Sequence, residues 1–191
     1  MTAFDASTVT GGWSLDRLPP GLVQAGVGCE LERLESFERI KSTARPALVL
    51  GDRVAVYTWT GFGIDAGGRM EVGDDCVLVG PQFLCGDRIT IGPRSVLSYN
   101  VSVADCDFHP HDPAARALDA EAISPAGSGV RPTLDTAPVH IGADCRIGIG
   151  AVILKGVTIG DGATVAAGTV VTGDVPAGAT VAGNPGRIVH P

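Results

Sequence analysis

Two of the four histidines in this 191-residue chain stand two positions apart, within the segment DCDFHPHDPAAR that runs from Asp105 to Arg116. A free imidazole titrates near pH 6.5, so it is available as a base at neutral pH. His109 sits between Phe108 and Pro110, which restrict its backbone and cover its flank. Asp105 and Asp107 are close enough in sequence to orient its ring, the base-and-orienter arrangement of general-base catalysis. His111, followed by Asp112-Pro113, competes for the same role. A metal held by the two rings would need a third ligand from His140, an acid or a neighbouring subunit, and no metal is expected. Cys106 lies in the same segment and is assigned no nucleophilic role.

These residues need a scaffold, and the flanking sequence supplies one. From Ile141 to Val175 the chain repeats every six residues as IGADCR, IGIGAV, ILKGVT, IGDGAT, VAAGTV and VTGDVP. The first position reads Ile141, Ile147, Ile153, Ile159, Val165 and Val171, and the fifth is small. A fixed hexapeptide period predicts an all-β parallel β-helix, in which each hexad is a short strand plus a corner. An α-helix is excluded, because a six-residue spacing spreads the aliphatics over different faces of a 3.6-residue helix. Glycine at the second position or nearby would give the corners their backbone freedom.

An earlier block keeps the period through Val79, Cys85, Ile91, Leu97 and Val103, with Val72 one residue out of phase and a bulge expected near it. Leu50, Val56 and Phe62 extend it upstream, and three glycines between Gly63 and Met70 break it. Between Val103 and Ile141 the rhythm vanishes, so residues 104–140 read as a long loop inserted in one coil. Structureless loops of that length are uncommon in compact domains unless functional or disordered. Residues 1–45 read as an irregular leader or a first coil: Leu31, Leu34, Phe37 and Ile40 suit one helical stripe, whereas Val27-Gly28 resembles the start of a hexad. Residues 46–191 form the β-helix domain.

Composition agrees. The chain is 45% hydrophobic but only 5% aromatic, so the core is expected to be Val, Ile, Leu and Ala, in a coil too narrow for a core anchored on large rings. Twenty-seven glycines and thirteen prolines suit corners. No apolar run approaches the roughly 18 residues of a membrane span, and no secretory signal opens the chain. A net charge of −7 argues against nucleic acid, which needs a basic footprint. Within 104–140 six acids face two arginines. The five cysteines, Cys29, Cys76, Cys85, Cys106 and Cys145, show no metal-type spacing, and the chain reads as a protein of the reducing cytoplasm.

The hexads, the DFHP-containing loop and the closing VVTGDVPAGATVAGNPGRIV resemble the hexapeptide-repeat acyltransferases, such as the galactoside, maltose, xenobiotic and serine O-acetyltransferases. The resemblance covers roughly residues 72–189. It implies a left-handed parallel β-helix, an exception to the usual right-handed crossover. It also implies a homotrimer with active sites between neighbouring subunits, acetyl-CoA as donor, and His109 as the base that deprotonates the acceptor. The donor site would fall on Gly148 and Ile149, on Ala166, Ala167 and Gly168, and on Thr172, with Arg187 contacting phosphate. Three departures stand out: Arg146 where an aromatic is common, Gly173 where a lysine is common, and no counterpart near residues 77–82 for the asparagine that holds the oxyanion. Asn100 or a backbone N–H is the substitute.

The resulting expectation is transfer of acetyl from acetyl-CoA to a hydroxyl or amine of a small-molecule acceptor (a sugar, nucleotide-sugar or natural product), by direct attack within a ternary complex. Two other classes fit the scaffold: a γ-carbonic-anhydrase-like metalloenzyme, and a non-catalytic binding or assembly protein.

Overall fold

The computed structural model describes residues 13–124, 126–127 and 130–191; the first twelve residues of the expected leader lie outside these. The chain winds as a left-handed parallel β-helix whose coils each contribute a strand to three sheets. The first sheet stacks β1 (Val23–Ala25), β3 (Leu48–Leu50), β6 (Arg69–Val72), β9 (Arg88–Ile91), β12 (Val139–Ile141) and β15 (Thr158–Ile159). The second stacks β2 (Glu30–Leu31), β4 (Ala55–Tyr57), β7 (Val77–Val79), β10 (Val96–Leu97), β13 (Arg146–Ile147), β16 (Thr164–Val165) and β18 (Thr180–Ala182), closed by the antiparallel β19 (Arg187–His190). The third stacks β5 (Gly61–Ile64), β8 (Gln82–Cys85), β11 (Ser102–Ala104), β14 (Val152–Ile153) and β17 (Val170–Val171).

The repeated aliphatics point inward as the period requires. Ile141, Ile147, Ile153 and Ile159 are completely buried, and the fifth-position residues Cys145, Ala151, Val157, Ala163, Thr169 and Val175 are buried beside them. Glycine has two separate duties. At the fourth position Gly150, Gly156, Gly162 and Gly168 adopt φ of 68–77°, the left-handed turn that Asp144, Arg94 and Asn100 make at a cost in other hexads. At the second position the need is proximity: a Cβ on Gly148 would sit 2.6 Å from the backbone nitrogen of Ala167 in the next coil.

Three expectations require correction. The phase shift lies at the Gly80–Pro81 corner, not near Val72: Leu78 is the buried residue of β7 and Val79 is half-exposed. The next inward residue, Phe83, comes five positions after Leu78, whereas in the following coil Val103, the register partner of Phe83, comes six after Leu97, the register partner of Leu78. The aliphatic-only core is also overturned. Phe37, Phe62 and Phe83 are buried, one to a coil, with ring centroids 5.3 and 5.4 Å apart, and Trp13 covers the end of the stack at 5.5 Å from Phe37. Room for the rings comes from longer turns, since β5 and β6 each bury two residues, Phe62 with Ile64 and Met70 with Val72. The first coil keeps hexad phase on Ala25, Leu31 and Phe37 and not on Val27, which is 67% exposed; a 3-10 turn at Leu34–Phe37 makes it irregular.

Because Ile153 is enclosed by its own coil and the coils on either side, Ile153→Ala should lose about 2–5 kcal/mol in urea-induced unfolding. A loss below about 1 kcal/mol would mean that the interior is not close-packed at that level.

Candidate active site

The inserted loop leaves the third sheet after β11 and returns to the first at β12, which pairs directly with β9. Its neck is laced. Asp107 N donates to Asp135 O at 3.0 Å, Ala137 N donates to Asp105 O at 2.7 Å, and Cys106 bridges Thr136. Within the loop lies a helix that the hydrophobic rhythm did not announce, α1 (Pro113–Ala122). Its start was legible as Asp-Pro: Asp112 caps it by accepting from Ala115 N at 2.8 Å, and Pro113 occupies the first turn.

The ring of His109 is about half exposed, and its Nδ1 lies 2.7 Å from Oδ2 of Asp119, a residue of α1 that is completely buried. Arg131 clamps the same carboxylate, with Nε 2.6 Å from Oδ1 and Nη2 3.0 Å from Oδ2, and Nη2 also donates to the carbonyl of Phe108 at 2.7 Å. The Arg131 guanidinium first, and the His109 ring second, hold the Asp119 carboxyl down to about 2. A carboxylate only accepts hydrogen bonds, so in the neutral ring Nδ1 carries the proton and Nε2, on the side away from Asp119, has the lone pair.

The residues expected to orient His109 are engaged elsewhere. Asp105 is buried and accepts from the backbone nitrogens of Gly86 at 2.7 Å and Asp87 at 2.9 Å, which fastens the neck to the corner after β8. Asp107 pairs with Lys155 at 2.6 Å and with His111 Nε2 at 2.9 Å, and Lys155 foremost lowers its pKa. His111 is thereby tied to Asp107, and His140 faces Thr90 Oγ1 at 2.7 Å on the outside of the first sheet. Among the described residues no group of three or more His, Cys, Asp and Glu side chains is placed to hold a metal ion. Burial pushes the Cys106 thiol up to about 11, away from the thiolate that nucleophilic catalysis needs.

The expected donor residues gather at a different corner. Gly150 N donates to Tyr99 O at 2.9 Å and Gly168 N to Ile149 O at 2.8 Å, so Asn100, Gly148-Ile149 and Ala166-Ala167-Gly168 stack on successive coils between the second and third sheets. The loop departs from the opposite edge of the third sheet, where exposed Thr172 lies one coil beyond Lys155. Arg187 begins β19 and is exposed. Within this chain, then, Asn100 and the glycine corner are together, and His109 is across a sheet from them.

The protein is thus a β-helix with a histidine–aspartate pair on a loop that interrupts one coil. Residues 138–173 match the family of bacterial transferase hexapeptides (six repeats). YvoF of Bacillus subtilis (strain 168), a protein named as an acetyltransferase, is 33% identical over 125 residues, covering 64% of this chain and 60% of YvoF. The 2,3,4,5-tetrahydropyridine-2,6-dicarboxylate N-acetyltransferase of Staphylococcus aureus (strain JH9) is 53% identical over 62 residues, 32% of this chain and 26% of that enzyme. The matches thus span 60% or less of these relatives' own length. Among solved structures, a hexapeptide-repeat acetyltransferase of Vibrio cholerae O1 biovar eltor complexed with acetyl coenzyme A superposes with a TM-score of 0.52 at 30% identity, over 63% of this chain and 59% of that one. AntD, an N-acyltransferase from Bacillus cereus, shares the fold over 93% of this chain and 88% of its own, with a TM-score of 0.60 at 17% identity. Residues 138–173 thus carry the hexapeptide repeats of bacterial transferases, and the chain is similar to named acetyltransferases over 63–64% of its length.

The lowered pKa of Asp119 fixes a sign. Its stabilising contribution is complete above its unfolded value of 3.8 and is lost as the pH falls toward about 2. Asp119→Asn should therefore melt below the wild type at pH 7, and the gap should narrow between pH 4 and pH 2. Melting curves that stay parallel over that range would contradict the pairing. Iodoacetamide at pH 7.5 should leave Cys106 of the folded protein unmodified by peptide mass mapping.

Proposed function

We propose that this protein transfers an acetyl group from acetyl-CoA to a hydroxyl or amine of a small-molecule acceptor, with His109 as the general base, in a homotrimer whose sites lie between neighbouring subunits. The observation that carries the reading is the 2.7 Å contact between His109 Nδ1 and buried Asp119, because in the neutral ring it makes Nε2 the basic nitrogen. The acceptor's proton passes to Nε2 as its oxygen or nitrogen attacks the thioester carbonyl carbon. The tetrahedral intermediate then expels the CoA thiolate, which recovers the proton from the imidazolium. General-base assistance of this kind contributes about 10²–10⁴-fold.

Asn100 or a backbone N–H of the adjacent corner would hold the oxyanion, and losing one such donor costs roughly 2.7–4 kcal/mol. The stacked glycine corner of residues 148–150 and 166–168 would line the pantetheine arm, with Thr172 and Arg187 toward the nucleotide. The separation of that corner from His109 within one chain supports a site shared by two protomers. So do Trp59, Tyr99 and Ile149, which are 67%, 50% and 53% exposed: Tyr99 and Ile149 lie on that corner, and Trp59 lies at the same turn of an earlier coil. Acetyl-CoA is the supported donor because the Vibrio cholerae relative binds it. Among the described residues no helix is long and apolar enough to cross a membrane, and the five free, buried cysteines suit a reducing cytoplasm.

His109→Ala should lower kcat at least 10²-fold while acetyl-CoA still raises the melting temperature of the variant, a ligand effect that requires only the folded donor site. Turnover within threefold of wild type would refute the assignment of the base.

A further inference from the structure

On the side of the loop facing the earlier coils lies a cavity of about 550 Å³, continuous in its lining with a narrower one of about 130 Å³. Both are bordered by Lys41, Asp65, Cys106 and Arg131, and the narrower one also by Arg39 and Phe108. Two features set this place apart. Phe108 and Arg131 are the chain neighbour of His109 and the clamp on its aspartate, so the cavity wall is the reverse side of the catalytic loop. The charges are also unbalanced. Arg131 is neutralised by Asp119, but among the described residues Arg39 and Lys41 make no ion pair, and Asp65 is the one acid of the described lining that opposes their two charges. Arg131 spends Nε and Nη2 on Asp119 and Phe108, leaving Nη1 as the edge those bonds do not use.

The expected donor corner lies on later coils, 148–150 and 166–168, and Lys155 moors the loop on that side through Asp107. The loop thus has the donor coils on one side and this basic cavity on the other. An acyl acceptor must approach His109 from a direction the donor does not occupy.

Resting on the acyltransferase reading above, we propose that the cavity is the acceptor subsite and that it selects acceptors bearing a compact anionic group, a carboxylate or a phosphate, held by Arg39 and Lys41. Guanidinium and ammonium groups that lack internal partners gain most from such an oxyanion, and a charge-assisted contact is about twice as strong as a neutral one. This reverses what the acidic composition of the loop suggests: of its six acids, Asp119, Asp107 and Asp105 are consumed by Arg131, by Lys155 and by backbone N–H groups.

The test has two arms. In the first, calorimetric titration of the protein without acetyl-CoA uses inorganic phosphate and succinate as probes, against wild type and the double variant Arg39→Gln/Lys41→Gln. Both side chains are exposed, so the variant should fold, which its circular dichroism melt verifies. Binding of either probe by wild type, weakened at least tenfold in the variant, supports the subsite, and the stronger probe identifies the anion. Binding of neither, or equal binding by the variant, overturns it whether or not the protein is an acyltransferase. In the second arm, acceptors are offered in pairs, an amino alcohol with its phosphate ester and with the matching amino acid. The kcat/KM ratio of anionic to neutral acceptor should exceed ten in wild type and fall toward one in the variant. Equal use of both members by wild type overturns the proposal while leaving acetyl transfer intact. Failure of every acceptor while the probes still bind condemns the transferase reading alone.

Discussion

Everything in this molecule depends on the requirement that each coil satisfy its backbone hydrogen bonds with the coils above and below it. A parallel strand of two or three residues cannot stand alone, and its N–H and C=O groups find partners only if the next turn returns in register. The hexad period is how the sequence meets that demand. Ile147 pairs in register with Leu97 on one side and Val165 on the other, and the same holds around the triangle. Coils therefore approach so closely that side chains are excluded at Gly148 and Gly160, where a Cβ would strike the next backbone. The outer surface inherits this rigidity and can hold a reacting molecule at fixed points, which contributes about 7–11 kcal/mol when geometry is right.

Where the period is strict, the sequence is transparent. Ile141 to Val175 could be assigned to inward positions residue by residue, because one aliphatic per six residues admits no other regular structure. Legibility fails where a corner changes length. The corner at Gly80–Pro81 is one residue short of a hexad and β8 then buries both Phe83 and Cys85, so counting six back from Cys85 reaches Val79 where the inward residue is Leu78, and nothing in the hydrophobic pattern VLVGPQFLC separates the two registers. The ring stack of Phe37, Phe62 and Phe83 was hidden for a related reason: its members are about twenty residues apart, so their contact appears only once the coil length is known.

The site was half legible. His109 stands out because a histidine in an aperiodic insertion has no structural duty in the repeat. Its partner did not. Asp105 and Asp107 were nearer in sequence, yet a strand-like neck turns them toward the backbone of Gly86 and Asp87 and toward Lys155. Asp119 reaches the ring from a helix ten residues on, and the Asp112-Pro113 start of that helix was the signal that could have located it. Proximity along a chain is a poor guide to proximity in a loop with secondary structure of its own.

One consequence concerns how such a protein can diversify. The neck closes through Asp107 to Asp135 and Asp105 to Ala137, and β9 meets β12 in unbroken register beneath it. The solenoid would seal at that seam whatever segment emerged from it. Lengthening an excursion costs only about 0.6 kcal/mol for each doubling, so exchange of the whole segment is cheap compared with altering any inward aliphatic. New acceptor chemistries can thus be auditioned by grafting at this junction, while the spool beneath stays under purifying geometric control.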